Sequence, residues 1–301
     1  MSHNIKSLHS DFIEELEIGL GRSPKTVENY DRYLRAFFEH GKIAELADIT
    51  QESVRSFRRH ISQNGAALPT QNYYLIAIRQ FLKYLIKRDI EVLSPEKIQL
   101  AKLPDRDIDV LYPEEVDMLL GAVIPDISRL QALRDKTLFN VLFSTGMRIS
   151  EAIRLNRDDV RPHSNEMTVR GKGNKVRVVF LSEEALGQVH EYLERRTDTD
   201  PALFVRHRKN VGNEDDLRIT PRTVQRLIKR YAAAAGITKD ITPHTLRHSF
   251  ATDLLSNGAD VRQVQQLLGH SSITTTQVYT HFTDVQLRGV HERFHHKKKS
   301  T

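Results

Sequence analysis

The sequence predicts a mainly α-helical protein in two parts, with one small antiparallel β-sheet in the second part. Apolar residues recur at helical spacing through the first hundred residues. Further along, two β-prone runs flank a turn-rich tetrapeptide, Gly171-Lys172-Gly173-Asn174. The length of 301 residues suits one large domain or two ordinary ones, and the 39% hydrophobic content is enough for a buried core.

Three helices are predicted in the first part, each with an apolar stripe. The first begins at Ser23-Pro24, a capping residue followed by proline at the first helical position. The second stops at Asn64-Gly65, and the third runs from about Gln71 to Lys87. The stripes are Val27, Tyr30, Leu34 and Phe37 in the first helix, Val54, Phe57 and Ile61 in the second, and Leu75, Ile78, Leu82 and Leu85 in the third.

The third helix also carries a line of basic residues on its other side. Arg79, Lys83 and Lys87 are spaced four residues apart, so they share one face. Such a line is typical of a solvated face, but it is also suited to following the phosphates of a nucleic acid. We therefore take these three residues as DNA-binding candidates, together with Thr70 near the start of the same segment.

A domain boundary is expected near residue 107. Residues 97–113 are rich in polar and helix-breaking residues, and Tyr112-Pro113-Glu114-Glu115 then opens a new helix with acids in its first turn. The predicted domains are residues 1–107 and 108–301. In the second domain, Met167–Arg170 and Val176–Leu181 predict a hairpin with Lys172 at its tip, and three later helices are predicted from Pro221 to about Ala235, from His244 to about Ser256, and from Val261 to Leu268.

Composition excludes several classes of protein. There are no cysteines, which removes disulfides and cysteine-rich zinc sites and favours a reducing, cytoplasmic setting. No apolar run is long enough for a membrane span, and the N-terminus has no secretory signal pattern. The net charge of +6 and the pI near 9.4 favour a polyanionic partner.

Arg148 and Lys172 are the first two candidates for chemistry. Arg148 begins a helix directly after a glycine turn, where it could pair with Glu151 or bind an anion, since its planar fork suits phosphate oxygens. Gly171–Lys175 lacks the GxxxxGK[ST] spacing of a nucleotide-binding loop and leads into a strand. What remains there is a lysine at a hairpin tip, either solvated or placed to reach into a groove.

The other candidates lie near the end of the chain. His244, Arg247 and His248 share one helical face. A zinc site there is disfavoured, because no acid follows His244 as in HExxH and Arg247 would repel a cation. Tyr279 lies nine residues after His270. A free tyrosine has a pKa near 10, so it needs nearby positive charge or a base to attack at neutral pH.

Taken together, these side chains suit the transfer of a phosphodiester to a phenolic oxygen. The arginines would neutralise charge on the pentacoordinate phosphorus, as metals do in other enzymes. Tyr279 would be the covalent nucleophile, and Lys172 could protonate the departing oxygen.

The order Arg148, Lys172, His244-x-x-Arg247, His270, Tyr279 resembles the tyrosine recombinase (phage integrase) family. The surrounding segments TGMRISE, GKGNK, HTLRHSFATDLLSNGAD and QQLLGHSSITTTQVYTH are similar to its Xer branch, and SPKTVENYDRYLRAFF and PTQNYYLIAIRQFLKYL resemble its N-terminal core-binding domain. The resemblance implies an N-terminal helical core-binding domain and a mostly helical catalytic domain that together clamp DNA. It also implies a 3′-phosphotyrosine intermediate with no cofactor or metal. By this resemblance Arg148 and Arg247 hold the scissile phosphate, and His244 and His270 orient and stabilise that phosphate. Lys172 is the general acid.

Several roles stay open at this point. The resemblance implies a homo- or hetero-tetramer on a duplex with two half-sites. A paralogous recombinase and a septal DNA translocase are possible partners, and chromosome dimer resolution at cell division in the cytoplasm, on the nucleoid, is the expected role. The alternatives are a mobile-element integrase, a type IB topoisomerase-like enzyme and a catalytically silent DNA-binding protein.

Overall fold

The computed structural model describes residues 4–104, 109–171, 175–207 and 217–269. The chain divides into two compact units, Met1–Arg106 and Asp107–Thr301. Within the described ranges there are eleven α-helices and one two-stranded antiparallel sheet. The predicted fold class, mainly α-helical with a small antiparallel sheet, is confirmed.

The first unit is helical throughout its regular structure. Its α-helices are α1 (Ile5–Glu14), α2 (Pro24–Gly41), α3 (Gln51–Gln63) and α4 (Leu68–Ile86). A turn of π-helix, Glu15–Gly19, continues α1, and short 3₁₀ turns lie at Leu46–Asp48 and Pro95–Lys97. Ser23 caps α2 by accepting a hydrogen bond from the Thr26 backbone, with Pro24 at the first helical position, as the sequence predicts.

The apolar stripes of the three predicted helices form the core of this unit. Leu34, Phe57 and Leu82 are fully or almost fully buried, one from each helix. An aromatic edge contact joins α2 to α3, with the Phe37 and Phe57 ring centroids 5.3 Å apart. The helix predicted from about Gln71 begins earlier, at Leu68, because Pro69 occupies its first turn.

The second unit surrounds a central helix with shorter helices and the sheet. Its elements are α5 (Pro113–Gly121), α6 (Arg129–Thr145), α7 (Ile149–Ala152), β1 (Glu166–Arg170), β2 (Val176–Phe180), α8 (Glu183–Glu194), α9 (Pro221–Ala234), α10 (Pro243–Ser256) and α11 (Val261–Leu268). Helix α6 packs against α8 and α10 and is buried on several faces, with Leu138, Phe139 and Leu142 at the centre of the core.

The predicted hairpin and the helices that follow it are present. Strands β1 and β2 pair antiparallel, with Val169 opposite Arg177 and Met167 opposite Val179. Helix α11 has the predicted bounds, and its cap Gly269 takes the left-handed conformation at φ 64° that favours glycine. The hairpin tip with Lys172 lies outside the described residues. In the described part of the chain, no helix is both long and apolar enough to cross a membrane.

A buried arginine closes the loop after α8. The Arg196 side chain has no exposed surface, and it donates to the carbonyls of Ala202 and Leu203 at 2.6 and 3.0 Å and to the carboxylate of Asp198. Its neighbour Arg195 is exposed and pairs with Glu191 one turn back. The two adjacent arginines therefore differ in what they contribute to stability.

Replacing Arg196 with methionine should lower the free energy of unfolding by about 3 kcal/mol, because buried carbonyls and a carboxylate lose their donor. Arg195→Met should change it by less than about 1 kcal/mol, as is usual for a surface ion pair. Urea denaturation followed by circular dichroism measures both. Equal effects of the two substitutions would contradict this account of Arg196.

Candidate active site

Arg148 lies at the junction of two helices in the second unit. Helix α6 ends at Thr145 with Gly146 as its C-cap, whose φ of 58° is left-handed, and Arg148 is then the N-cap of α7. A side chain at position 146 would collide with Phe250, so the chain can turn this closely only at glycine. The turn directs Arg148 away from α6 and leaves its side chain 31% exposed.

Glu151 holds Arg148 in place. Its carboxylate accepts hydrogen bonds from the Arg148 backbone nitrogen at 2.8 Å and from Arg148 Nη1 at 3.1 Å. The pairing of Arg148 with Glu151, considered from the sequence, is therefore present. It does not exclude anion binding, because the Arg148 side chain still has exposed surface.

Arg177 reaches the same carboxylate from strand β2. Its Nη1 and Nη2 donate to the two oxygens of Glu151 at 2.9 and 2.7 Å, a bidentate pair. Burial alone would raise the pKa of Glu151, but the hydrogen bonds from Arg177 and from the Arg148 backbone hold that pKa below its ordinary value. No sequence pattern singled out Arg177 as a functional residue. The available signal was an arginine between valines in a predicted strand.

Arg247 connects three elements of the second unit. It projects from α10, is almost completely buried, and donates from Nη1 to the Gly146 carbonyl at 2.6 Å and from Nη2 to the Leu268 carbonyl at 2.7 Å. These bonds link α10 to the end of α6 and to the end of α11. Arg247 therefore binds the backbone two residues before Arg148.

His244 lies in the first turn of α10, beside both arginines. Burial, Arg247 and Arg148 lower the pKa of His244 below 6.5, so its imidazole is neutral at physiological pH. His248, one turn further along the same face, has its pKa lowered to about 4 by burial, His244 and Arg247. The structure thus brings together Arg148, His244 and Arg247, three of the six predicted catalytic residues.

The other three, Lys172, His270 and Tyr279, lie outside the described residues. Their immediate neighbours are described: Gly171 precedes Lys172, and Gly269 precedes His270. A methyl group at Gly171 would lie 3.2 Å from Glu151 Oε1, and one at Gly269 would lie 3.0 Å from Arg177 Cδ. Both glycines therefore lie close to the Glu151–Arg177 ion pair, with room for little more than a hydrogen between.

The DNA-binding candidates lie in the first unit. Thr70 and Arg79 are half-buried, and Lys83 and Lys87 are exposed. Arg79 and Lys83 lie within electrostatic range of Glu96, where they help to lower its pKa after the larger effects of the Ser94 hydroxyl and the local backbone. Glu96 thus offsets part of the positive charge of this face.

The described residues contain no group of three or more His, Asp or Glu side chains that could hold a metal ion. The cluster combines arginines, a carboxylate and imidazoles whose pKa values are lowered. Such a set suits an oxyanion, above all a phosphate.

Residues 109–286 match the phage integrase family, and residues 10–89 match the N-terminal SAM-like domain of phage integrases. The chain belongs to the phage integrase family. It is similar to curated tyrosine recombinases over nearly its whole length. The XerD recombinase of Staphylococcus saprophyticus is 33% identical over 95% of this chain and 97% of the relative, and that of Oceanobacillus iheyensis is 35% identical over the same shares.

Solved structures agree with this membership. The crystal structure of XerA recombinase is 30% identical, covers 98% of this chain and 99% of its own, and superposes with a TM-score of 0.52. The XerH site-specific recombinase bound to palindromic difH substrate is 23% identical over 93% of this chain and 82% of its own, with a TM-score of 0.70. The latter likeness supports the fold. The predicted family is confirmed, and so is the predicted enzyme class, a site-specific tyrosine recombinase.

In this family member, the pKa of His244 should depend on Arg148. Replacing Arg148 with glutamine removes one of the charges that disfavour the imidazolium, so the pKa of His244 should rise toward 6.5. Carbon-detected NMR titration of labelled histidines measures it. Arg154→Gln is the matched control, because Arg154 is exposed and is not among the groups that perturb His244. An unchanged His244 pKa in Arg148→Gln would contradict the arrangement described here.

Proposed function

We propose that this protein cleaves and rejoins duplex DNA at a specific site through a covalent 3′-phosphotyrosine at Tyr279. The observation that carries the proposal is the cluster of Arg148, His244 and Arg247, in which the buried carboxylate of Glu151 holds Arg148 in place. Fixed guanidinium groups in a partly buried site stabilise the charge that develops on a phosphate under attack, at little cost of reorganisation.

In the proposed reaction the Tyr279 phenol gives up its proton to solvent, its oxygen attacks the scissile phosphorus, and the bond to the 5′-oxygen breaks. Lys172 donates a proton to the departing 5′-oxygen, which leaves as a hydroxyl. Arg148 and Arg247 stabilise the phosphate oxygens. The reverse attack, by a 5′-hydroxyl on the phosphotyrosine, then reseals the strand without an external energy source.

The neutral state of His244 fits an orienting role. A neutral imidazole can donate a hydrogen bond to a phosphate oxygen from one nitrogen while the other nitrogen accepts. A phosphate beside it would partly cancel the field of Arg148 and Arg247, so the imidazolium would become more stable when DNA is bound. We assign His270 to the same phosphate, following the family resemblance.

The two units take different parts in the proposal. Residues 1–107 form the core-binding domain, with Thr70, Arg79, Lys83 and Lys87 directed to DNA, and residues 108–301 form the catalytic domain. The net charge of +6 supports a polyanionic partner. Some solved relatives are described as bound to DNA, including a transposon integrase with transposon right end DNA and a lambda integrase dimer on a COC' core site.

The biological role we propose is resolution of chromosome dimers before cell division. The XerD relatives, at 33–35% identity over nearly the full chain, favour this role over that of a mobile-element integrase. We propose further that the protein acts in the cytoplasm, on the nucleoid, as a homo- or hetero-tetramer on two half-sites. A paralogous recombinase and a septal DNA translocase are the partners that such a role suggests.

Tyr279→Phe should bind the duplex normally but form no covalent adduct with a nicked suicide substrate, because the attacking oxygen is missing. A denaturing gel separates the adduct from free protein. Tyr112→Phe, at an exposed tyrosine of the same unit, is the control and should form adduct at the wild-type rate. Adduct formation by Tyr279→Phe at the wild-type rate would show that Tyr279 is not the nucleophile.

Lys172→Ala should slow cleavage by roughly 10²–10⁴-fold, the range usual for a lost general acid. A substrate with a bridging sulfur at the 5′ position has a leaving group that needs no proton, so it should restore the rate of this variant. Lys175→Ala, three residues along the same hairpin, is the matched control and should cleave both substrates normally. If the sulfur substrate fails to rescue Lys172→Ala, Lys172 has another role.

A further inference from the structure

The Glu151–Arg177 ion pair contacts three stretches of chain that each lead to a proposed catalytic residue. Glu151 binds the backbone and side chain of Arg148. Gly171, the residue before Lys172, is so near that an added methyl group would lie 3.2 Å from Glu151 Oε1 and 3.4 Å from Arg177 Nη1. At Gly269, the residue before His270, an added methyl group would lie 3.0 Å from Cδ and 3.4 Å from Nε of Arg177. One ion pair therefore lies beside Arg148 itself and beside the residues that directly precede Lys172 and His270.

Arg177 also forms a hydrogen bond with the end of α11. Its Nε donates to the Leu267 carbonyl at 3.1 Å, while Nη1 and Nη2 hold Glu151. The next carbonyl, that of Leu268, accepts from Arg247. Two arginines from different elements thus bind the last carbonyls of α11. This helix directly precedes His270, and Tyr279 follows ten residues after Gly269.

The placement of Arg177 in its strand is unusual. Along β2, Val176, Val178 and Phe180 are exposed, whereas Arg177 and Val179 face inward and the Arg177 side chain is only 12% exposed. A strand chosen for stability alone would place the valines inside and the arginine outside. A break of this local rule is expected where a side chain serves the site rather than the core.

We propose that Arg177 is a positioning residue for DNA cleavage, which fixes Glu151, the hairpin of Lys172 and the end of α11 in one arrangement. The inference rests on the proposed function for its kinetic consequence and on the contacts above for its structural one. Lysine cannot replace Arg177 fully, because a single ammonium lacks the fork that binds both carboxylate oxygens while Nε binds a carbonyl.

The kinetic test compares Arg177→Gln and Arg177→Lys with wild type in single-turnover cleavage of the suicide duplex. Binding should stay within about twofold, while the first-order cleavage constant of Arg177→Gln should fall by roughly 10²-fold, as expected for displaced catalytic groups. Arg177→Lys should lie between the two, since it keeps the charge and loses the geometry. If binding weakens and the salt slope falls by about one, Arg177 is a phosphate ligand and the positioning role is overturned.

Hydrogen exchange tests the structural part without any need for activity. In Arg177→Gln, the amides of residues 148–152 and 265–269 should both exchange at least about tenfold faster, because both segments lose the same anchor. Arg196→Met is the control: it removes another buried arginine of this unit, and it should lower global stability without changing cleavage or these two segments selectively. Unchanged exchange in both segments, or wild-type cleavage by Arg177→Gln, would overturn the inference. Absence of adduct in the wild-type protein would instead refute the proposed function, with the exchange result still deciding the role of Arg177.

Discussion

The second unit depends on one buried carboxylate, that of Glu151, placed between arginines. Its side chain is 3% exposed, and a lone carboxylate at that depth would cost several kcal/mol of stability. Two guanidinium groups of like charge could not approach one point without it. The carboxylate and the arginines therefore require each other: Glu151 stays ionised because Arg177 and Arg148 donate to it, and the arginines stay together because Glu151 is ionised.

The arginines of the site differ in exposure and in the protein acceptors that they already bind. Arg247 is buried, Arg177 is largely covered, and both donate to protein acceptors, among them the carbonyls at the end of α11. Arg148 is the most exposed of the three, although Glu151 fixes its orientation. An incoming phosphate would meet a guanidinium already held by a partner, which is the condition under which electrostatic stabilisation needs little reorganisation. The neutral imidazole of His244 adds hydrogen-bonding capacity to this field without adding further repulsion.

Local patterns in the sequence predict much of this fold, but they do not predict the packing that forms the site. Helix α11 was predicted to the residue, because Gly269 marks its end and its apolar residues are evenly spaced. Helix α6 was not predicted as an element, since Arg134, Asp135 and Asn140 are buried along with its apolar residues and leave no polar face to define a stripe. Arg148, His244 and Arg247 were predicted from their residue types and from the family resemblance, and the structure places them near one another. The pairing of Arg177 with Glu151 joins residues on separate elements, and no spacing along the chain reveals such a contact.

The register of the small sheet follows from the same ion pair. Because side chains alternate along a strand, turning Arg177 inward toward Glu151 forces Val176, Val178 and Phe180 outward. A slip of one residue would bury the valines and gain apolar burial, but it would remove the bidentate partner of Glu151 and leave a buried carboxylate with one arginine fewer. The hydrogen bond from Gly171 N to the Lys175 carbonyl closes the hairpin loop in the observed register. The exposed valines of β2 are thus the counterpart of an inward arginine, and the electrostatics of the site decide which face of the hairpin meets the core.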